Sequence, residues 1–212
     1  MIIVPELETV VILTPRTGSK ALRDALLGTY AKAFMLYRHM EADGVPQGYD
    51  RWRRVGVVRH PVARLWSLYR YLRVIGEGRE PDGTGKWEPA YVAAQRASVA
   101  MPFNEWLLSN RQVFTSPYDQ NDGARFHAGF CVRHPIPENR KSQFIYLRPD
   151  LGTVAWPYLN VAGLYRMLGV EPPHINAAPP GTMPELTPEA EDHIARFFAW
   201  DLEVCGADPS RQ

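Results

Sequence analysis

The segment from Thr14 to Leu22 reads TPRTGSKAL. A β-branched run, Thr9 to Thr14, leads into it, and helical spacing follows from about Ser19 to Gly28. A buried strand that turns tightly into a helix leaves free N–H groups at the helix start. Those donors and the helix dipole together make a cradle for an anion. Gly18 allows close approach of the backbone. Thr17 and Ser19 add hydroxyl donors, Arg16 and Lys20 add charge, and Ala21 sits in the first helical turn. The segment is not a Walker A loop. The pattern GxxxxGK[ST] fails because the first glycine is absent and Gly18 is followed by Ser19-Lys20. Magnesium-dependent hydrolysis of ATP or GTP is therefore disfavoured.

A second set of residues lies in VGVVRHPVARLWSLY, Val55 to Tyr69. Arg59 closes a strand and Pro61 opens a helix, a position where its missing N–H costs nothing. Arg64 and Ser67 are three residues apart on one helix face. That face differs from the apolar stripe of Val62, Leu65, Trp66, Tyr69 and Leu72. Arg59 and Ser67 can thus close on one anion, from a strand end and from a helix side. From Arg51 to Arg73 there are seven arginines and no acid, although the whole chain carries only +1. One concentrated arginine segment in a near-neutral protein points to a local anion site rather than general affinity for nucleic acid. Arginine also suits bidentate recognition of phosphate or sulfate.

The elements needed to position these residues follow from periodicity. Strands are expected over Thr9–Thr14, Ala33–Tyr37, Arg54–Val58 and Phe144–Leu147. Helices are expected over Ser19–Gly28, Pro61–Val74, Phe103–Ser109 and Leu159–Leu168. A last helix runs from the Thr187 N-cap and Pro188 to about Val204. Strand, tight loop, helix, strand, strand, helix is the order of an α/β protein with a parallel sheet. Ligands in such sheets sit beyond the carboxyl ends of the strands, where both arginine-bearing segments lie. Gly76–Pro89 reads as a loop and residues 110–142 show no clear period. Residues 76–142 are therefore expected to form a loop-rich insertion that lines a substrate pocket.

With 212 residues, 45% of them hydrophobic and 22% charged, the chain suits one globular domain, 1–212. No apolar run approaches the roughly 20 residues of a membrane helix. The start has no basic leader, so a cytoplasmic protein is expected. Cys131 and Cys205 form no CxxC, and the histidines form no compact metal set; no metal is expected.

Taken together, the two segments resemble the sulfotransferase superfamily that uses 3′-phosphoadenosine 5′-phosphosulfate (PAPS), nearest to its carbohydrate-type and bacterial or phage-like members. The 5′-phosphosulfate loop of that family resembles P-[KR]-x-G-[ST]-[ST]-x-L, met here by Pro15-Arg16-Thr17-Gly18-Ser19-Lys20-Ala21-Leu22. Its 3′-phosphate motif resembles R-[DHN]-P-x-x-R-x-x-S-x-Y, met by Arg59-His60-Pro61, Arg64, Ser67 and Tyr69. The first match departs at Lys20-Ala21, where a hydroxyl residue is common. The resemblance implies a P-loop-NTPase-like three-layer α/β sandwich with a central, mostly parallel sheet. It implies sulfuryl transfer from PAPS, leaving the 3′,5′-diphosphate, to a hydroxyl or amine of a carbohydrate or small molecule. It assigns Arg16 to the leaving-group oxygens, and Arg59 and Ser67 to the 3′-phosphate.

An acceptor hydroxyl also needs a base. His39, with an unperturbed pKa near 6.5, or Glu41 follows the expected second strand at a suitable place. Two other functions remain open at this point. One is a small-molecule kinase on a P-loop-like scaffold; the other is a non-catalytic nucleotide or RNA binder built on Arg51–Arg73 with Trp52, Trp66 and Tyr69.

Overall fold

The computed structural model describes residues 1–36, 38–78, 89–114, 142–172 and 181–206. The elements are β1 (Ile2–Val4), β2 (Thr9–Ile12), α1 (Ser19–Thr29), β3 (Phe34–Met35), β4 (Arg53–Val58) and α2 (Pro61–Gly76). They continue as α3 (Pro89–Ala100), α4 (Phe103–Leu108), α5 (Phe144–Leu147), β5 (Val154–Pro157), α6 (Val161–Met167), α7 (Pro188–Phe197) and α8 (Ala199–Cys205). Among the described residues no helix is long and apolar enough to cross a membrane.

The strands form one sheet in the order β3-β1-β2-β4-β5. β2, β4 and β5 are parallel, with Val11 opposite Val55 and Val57 opposite Trp156. β1 is antiparallel to both β2 and β3. The fold is α/β as expected, but the sheet is mixed rather than mostly parallel. The cause is local. The chain leaves Val4 through a single 3-10 turn, Pro5–Leu7, with Glu8 in the left-handed region at φ 45°. So short a return can only produce an antiparallel pair.

Alternation along the strands divides the core. Ile2, Val4, Val11, Val55 and Val57, with Leu13 just beyond β2, pack against Leu22 and Leu26 of α1 and Leu164 and Tyr165 of α6. Ile3, Val10, Ile12 and Val58 pack on the other face, against Tyr146 and Leu147 of α5 and Cys205 of α8. Gly56 makes that second contact possible. A Cβ there would lie 2.9 Å from the Ile12 carbonyl oxygen and would run into the Leu147 side chain.

Phe144–Leu147 is therefore a helix and not a strand. An apolar run of four residues carries no period that separates the two. The local bonds decide: the Leu147 N–H reaches the Gln143 carbonyl at 3.1 Å and the Arg148 N–H reaches that of Phe144 at 2.8 Å. The strand that extends the sheet is β5, seven residues further on, on the edge and ending in Pro157.

A third core unites α2, α3, α4 and α7 through Val62, Leu65, Leu72, Ala94, Ala97, Phe103, Trp106 and Ile194. Each of the larger aliphatic or Phe side chains among these adds roughly 2 kcal/mol when fully buried. The span 76–142 is thus not simply a loop-rich insertion, because α3 and α4 contribute to this core. The expected loop at 79–88, the aperiodic stretch at 115–141, Tyr37 and Cys131 lie outside the described residues.

The expected single C-terminal helix starts as foreseen, with the Ala190 N–H donating to the Thr187 hydroxyl at 3.3 Å. It then breaks at Phe198, whose φ of −126° is not helical. The break lets Phe198 enter the helical core while α8 turns Asp201 and Cys205 toward the sheet.

Candidate functional site

The Thr14–Leu22 segment leaves the carboxyl end of β2 as a tight loop. Thr14 and Pro15 are buried, and the Thr17 hydroxyl donates to the Thr14 carbonyl at 2.8 Å. The Thr17 proton is consumed inside the loop, which corrects its expected use as a donor to an anion. Gly18, at φ 77°, caps α1, and no side chain caps the helix. The N–H groups of Ser19, Lys20 and Ala21 have no partner within the helix and are free to meet an anion. Lys20 is exposed, and Ser19 and Ala21 are half-buried.

Arg16 holds the left-handed region at φ 66° without being glycine. That conformation costs an L-residue roughly 1–2 kcal/mol, and here it turns the side chain back across the loop. Nη2 of Arg16 donates to the Ser67 hydroxyl at 2.9 Å and to the Ser67 carbonyl at 3.2 Å, and Nε lies 3.3 Å from the same hydroxyl. The guanidinium also stacks 4.5 Å over the Tyr71 ring. Arg16→Gly is expected to be more stable than Arg16→Ala by about 1 kcal/mol, since only glycine adopts this φ freely. Coincident denaturant midpoints for the two variants would show that the backbone there carries no strain.

Arg59 follows the last residue of β4, the strand beside β2. Its Nη1 lies 3.5 Å from the Arg16 carbonyl, and its guanidinium sits 5.0 Å over the Tyr158 ring. Burial lowers its pKa, with Tyr158 opposing the effect. Nε of Arg59 is buried and has no hydrogen-bond partner among the described residues. Its guanidinium thus retains a donor that the described residues do not use. Tyr158 begins the turn after β5, and a Cβ placed on Gly18 would lie 3.6 Å from its ring. It therefore stands between the two segments, at the end of the third parallel strand. No motif in the sequence pointed to it.

Behind these residues lies a buried polar layer. Arg64 lies outside the apolar stripe of its helix and is nevertheless 0% exposed. Its Nε donates to the Pro15 carbonyl at 3.0 Å, and its guanidinium packs 4.0 Å over the Phe114 ring. Burial depresses its pKa to about 10, against the favourable charge of Asp201. Asp201, also 0% exposed, accepts from the Gln143 N–H at 2.9 Å and the Ser142 hydroxyl at 3.1 Å. Burial pushes its carboxyl up to about 6, with Arg64 and the hydrogen bonds opposing the rise. Gln143 in turn pairs with the Arg59 backbone: Arg59 N–H donates to Oε1 at 2.9 Å, and Nε2 donates to the Arg59 carbonyl at 2.6 Å. Arg64 and Gln143 support the loops from beneath.

His39 is 8% exposed, with Nδ1 2.7 Å from the Leu13 carbonyl, at the root of the Thr14–Leu22 loop. A carbonyl only accepts, so Nδ1 carries the proton and the neutral ring has its lone pair on Nε2. Glu41 is half-buried, and its charge acts on the Met1 amino group. Tyr69 is buried and stacks on Trp66 at 5.5 Å inside the helical core. Among the described residues, no three His, Cys, Asp or Glu side chains gather as a metal would require.

The structure thus brings together Arg16, Arg59 and Ser67, and sets the first turn of α1 at the neighbouring strand end. Comparison of the chain with family models, with curated proteins and with solved structures finds no match.

Proposed function

We propose that this protein transfers a sulfuryl group from PAPS to a hydroxyl or amine of a carbohydrate or small-molecule acceptor, on an α/β scaffold of the P-loop kind. One observation carries the reading. Arg16 and Ser67, 51 residues apart in the chain, are hydrogen-bonded, and Arg59 reaches the Arg16 carbonyl. The two arginine-bearing segments therefore form one anion site at adjacent parallel strand ends, large enough in donors for a nucleotide phosphorylated at both ends.

In this reading the open N–H groups of Ser19, Lys20 and Ala21 receive the 5′-phosphosulfate. Arg59 and Ser67 receive the 3′-phosphate. The phosphate takes over the Ser67 hydroxyl from Arg16, which then turns to the bridging oxygen. During transfer the acceptor oxygen bonds to sulfur as the bond from sulfur to the phosphate oxygen breaks. Charge grows on that departing oxygen, where Arg16 stabilises it. The acceptor proton passes to His39, which the Leu13 carbonyl holds at the root of the loop. Arginine cannot release a proton here, so its part is electrostatic.

Calorimetric titration tests the reading. Tight binding of 3′,5′-diphosphoadenosine, with weak binding of ATP and magnesium, is the expected result. The reverse preference would support a kinase. Steeply salt-dependent binding of oligonucleotides without nucleotide selectivity would support an RNA binder. In a sulfate-transfer assay, Arg16→Ala is expected to lower turnover more than nucleotide affinity, and equal turnover would remove Arg16 from the chemistry.

A further inference from the structure

The sheet ends at the residue that the site most needs to hold still. β5 pairs with β4 as far as Val58 opposite Pro157. After Pro157 the chain turns into the 3-10 turn Tyr158–Asn160, so β5 does not go on to pair with the next residue, Arg59. The N–H and C=O of Arg59 would then be orphaned at the point where the chain leaves the sheet for α2. The Gln143 carboxamide takes both, at 2.9 and 2.6 Å, as a strand partner would. Gln143 is 0% exposed and is itself held by Asp201 through its own N–H. Asp201 also accepts from Ser142, so the residues before α5 are fixed from α8.

We infer that Gln143 is a positioning residue for recognition of the 3′-phosphate. It serves as a substitute ladder rung that sets the backbone, and hence the guanidinium direction, of Arg59. The inference rests on the reading of Arg59 as the 3′-phosphate ligand. Two bonds, one to each of the peptide planes that meet at Arg59, fix its backbone in a way that one bond would not. Among the described residues, the Arg59 side chain meets the Arg16 carbonyl at 3.5 Å and the Tyr158 ring. Its aim therefore depends chiefly on where the backbone points.

The test compares two probes that differ only in the 3′-phosphate, 3′,5′-diphosphoadenosine and adenosine 5′-monophosphate. The ratio of their affinities isolates what the 3′-phosphate adds. Gln143→Met fills the same space without hydrogen bonds. It is expected to cut that ratio about tenfold or more while changing affinity for the monophosphate less than about twofold. A merely structural glutamine would weaken both probes together or neither. Gln143→Glu keeps the bond from the Arg59 N–H and loses the donor to the Arg59 carbonyl. It is expected to give a smaller loss of the same kind, and it stands in should the methionine variant fail to fold. A wild-type ratio near one would overturn the reading of Arg59 itself, and the inference with it. A large wild-type ratio that survives in the variant measured would overturn the role of Gln143 alone.

Discussion

Arg59→Ala is expected to weaken binding of 3′,5′-diphosphoadenosine by about 100-fold or more, with adenosine 5′-monophosphate little affected. The size follows from the setting. The guanidinium is partly buried, burial lowers its pKa, and its Nε has no partner among the described residues. A charged donor already stripped of much of its water meets a phosphate dianion without a further large desolvation cost. Removing one side of such a pair leaves the other unmatched, at about 2–5 kcal/mol. Arg59→Lys keeps the charge but not the planar fork, and should recover only part of the loss. Calorimetry with both nucleotides reads the outcome directly. Equal affinity of wild type and Arg59→Ala for the diphosphate would remove the 3′-phosphate from this end of the site.

The second large effect concerns stability. Asp201 titrates at about 6 in the folded protein, raised by burial from a usual 3.8. Between those two values the folded state holds a proton that the unfolded state has released. Stability therefore falls as pH rises through this window. A displacement of about two pH units, at about 1.4 kcal/mol each, makes the Asp201 contribution on the order of 3 kcal/mol. Exposed carboxylates such as Asp150, held low by Arg148, act in the opposite sense and mask part of it in the wild type. The clean measurement is the difference between wild type and Asp201→Asn in urea titrations from pH 4 to pH 7. Asparagine keeps an oxygen for the Gln143 N–H and the Ser142 hydroxyl but never ionises. The variant should match the wild type near pH 4 and exceed it above pH 6. A difference that stays flat across that range would show that the Asp201 carboxyl is not perturbed. The result would also agree with the general weakness of buried ion pairs as sources of stability, since the attraction of Arg64 does not offset the loss of water.

What was legible in the chain alone was whatever depends on local order. The run Thr9–Ile12 makes a buried strand because its β-branched residues leave little choice. Gly18 and Pro61 mark helix starts because of their own backbone chemistry, and both helices begin within a residue of the expected place. Arg16, Arg59 and Ser67 could be grouped because strand ends in an α/β protein fall on one side. The rest depended on contacts between distant residues. Phe144–Leu147 is helical through its packing under Gly56, and the helix after Pro188 breaks at Phe198 to feed two cores. The antiparallel β1 follows from a turn too short for any period to reveal. Arg64 falls outside the apolar stripe on a helical wheel, yet it lies buried beneath the loop because Pro15, Phe114 and Asp201 converge on it. Gln143 and Tyr158 belong to no motif, and only tertiary packing brings them to Arg59. Spacing along the chain can say which groups are able to bind an anion. Which of them keep their donors for it, and which spend them on the fold, is settled by burial and by partners many residues away.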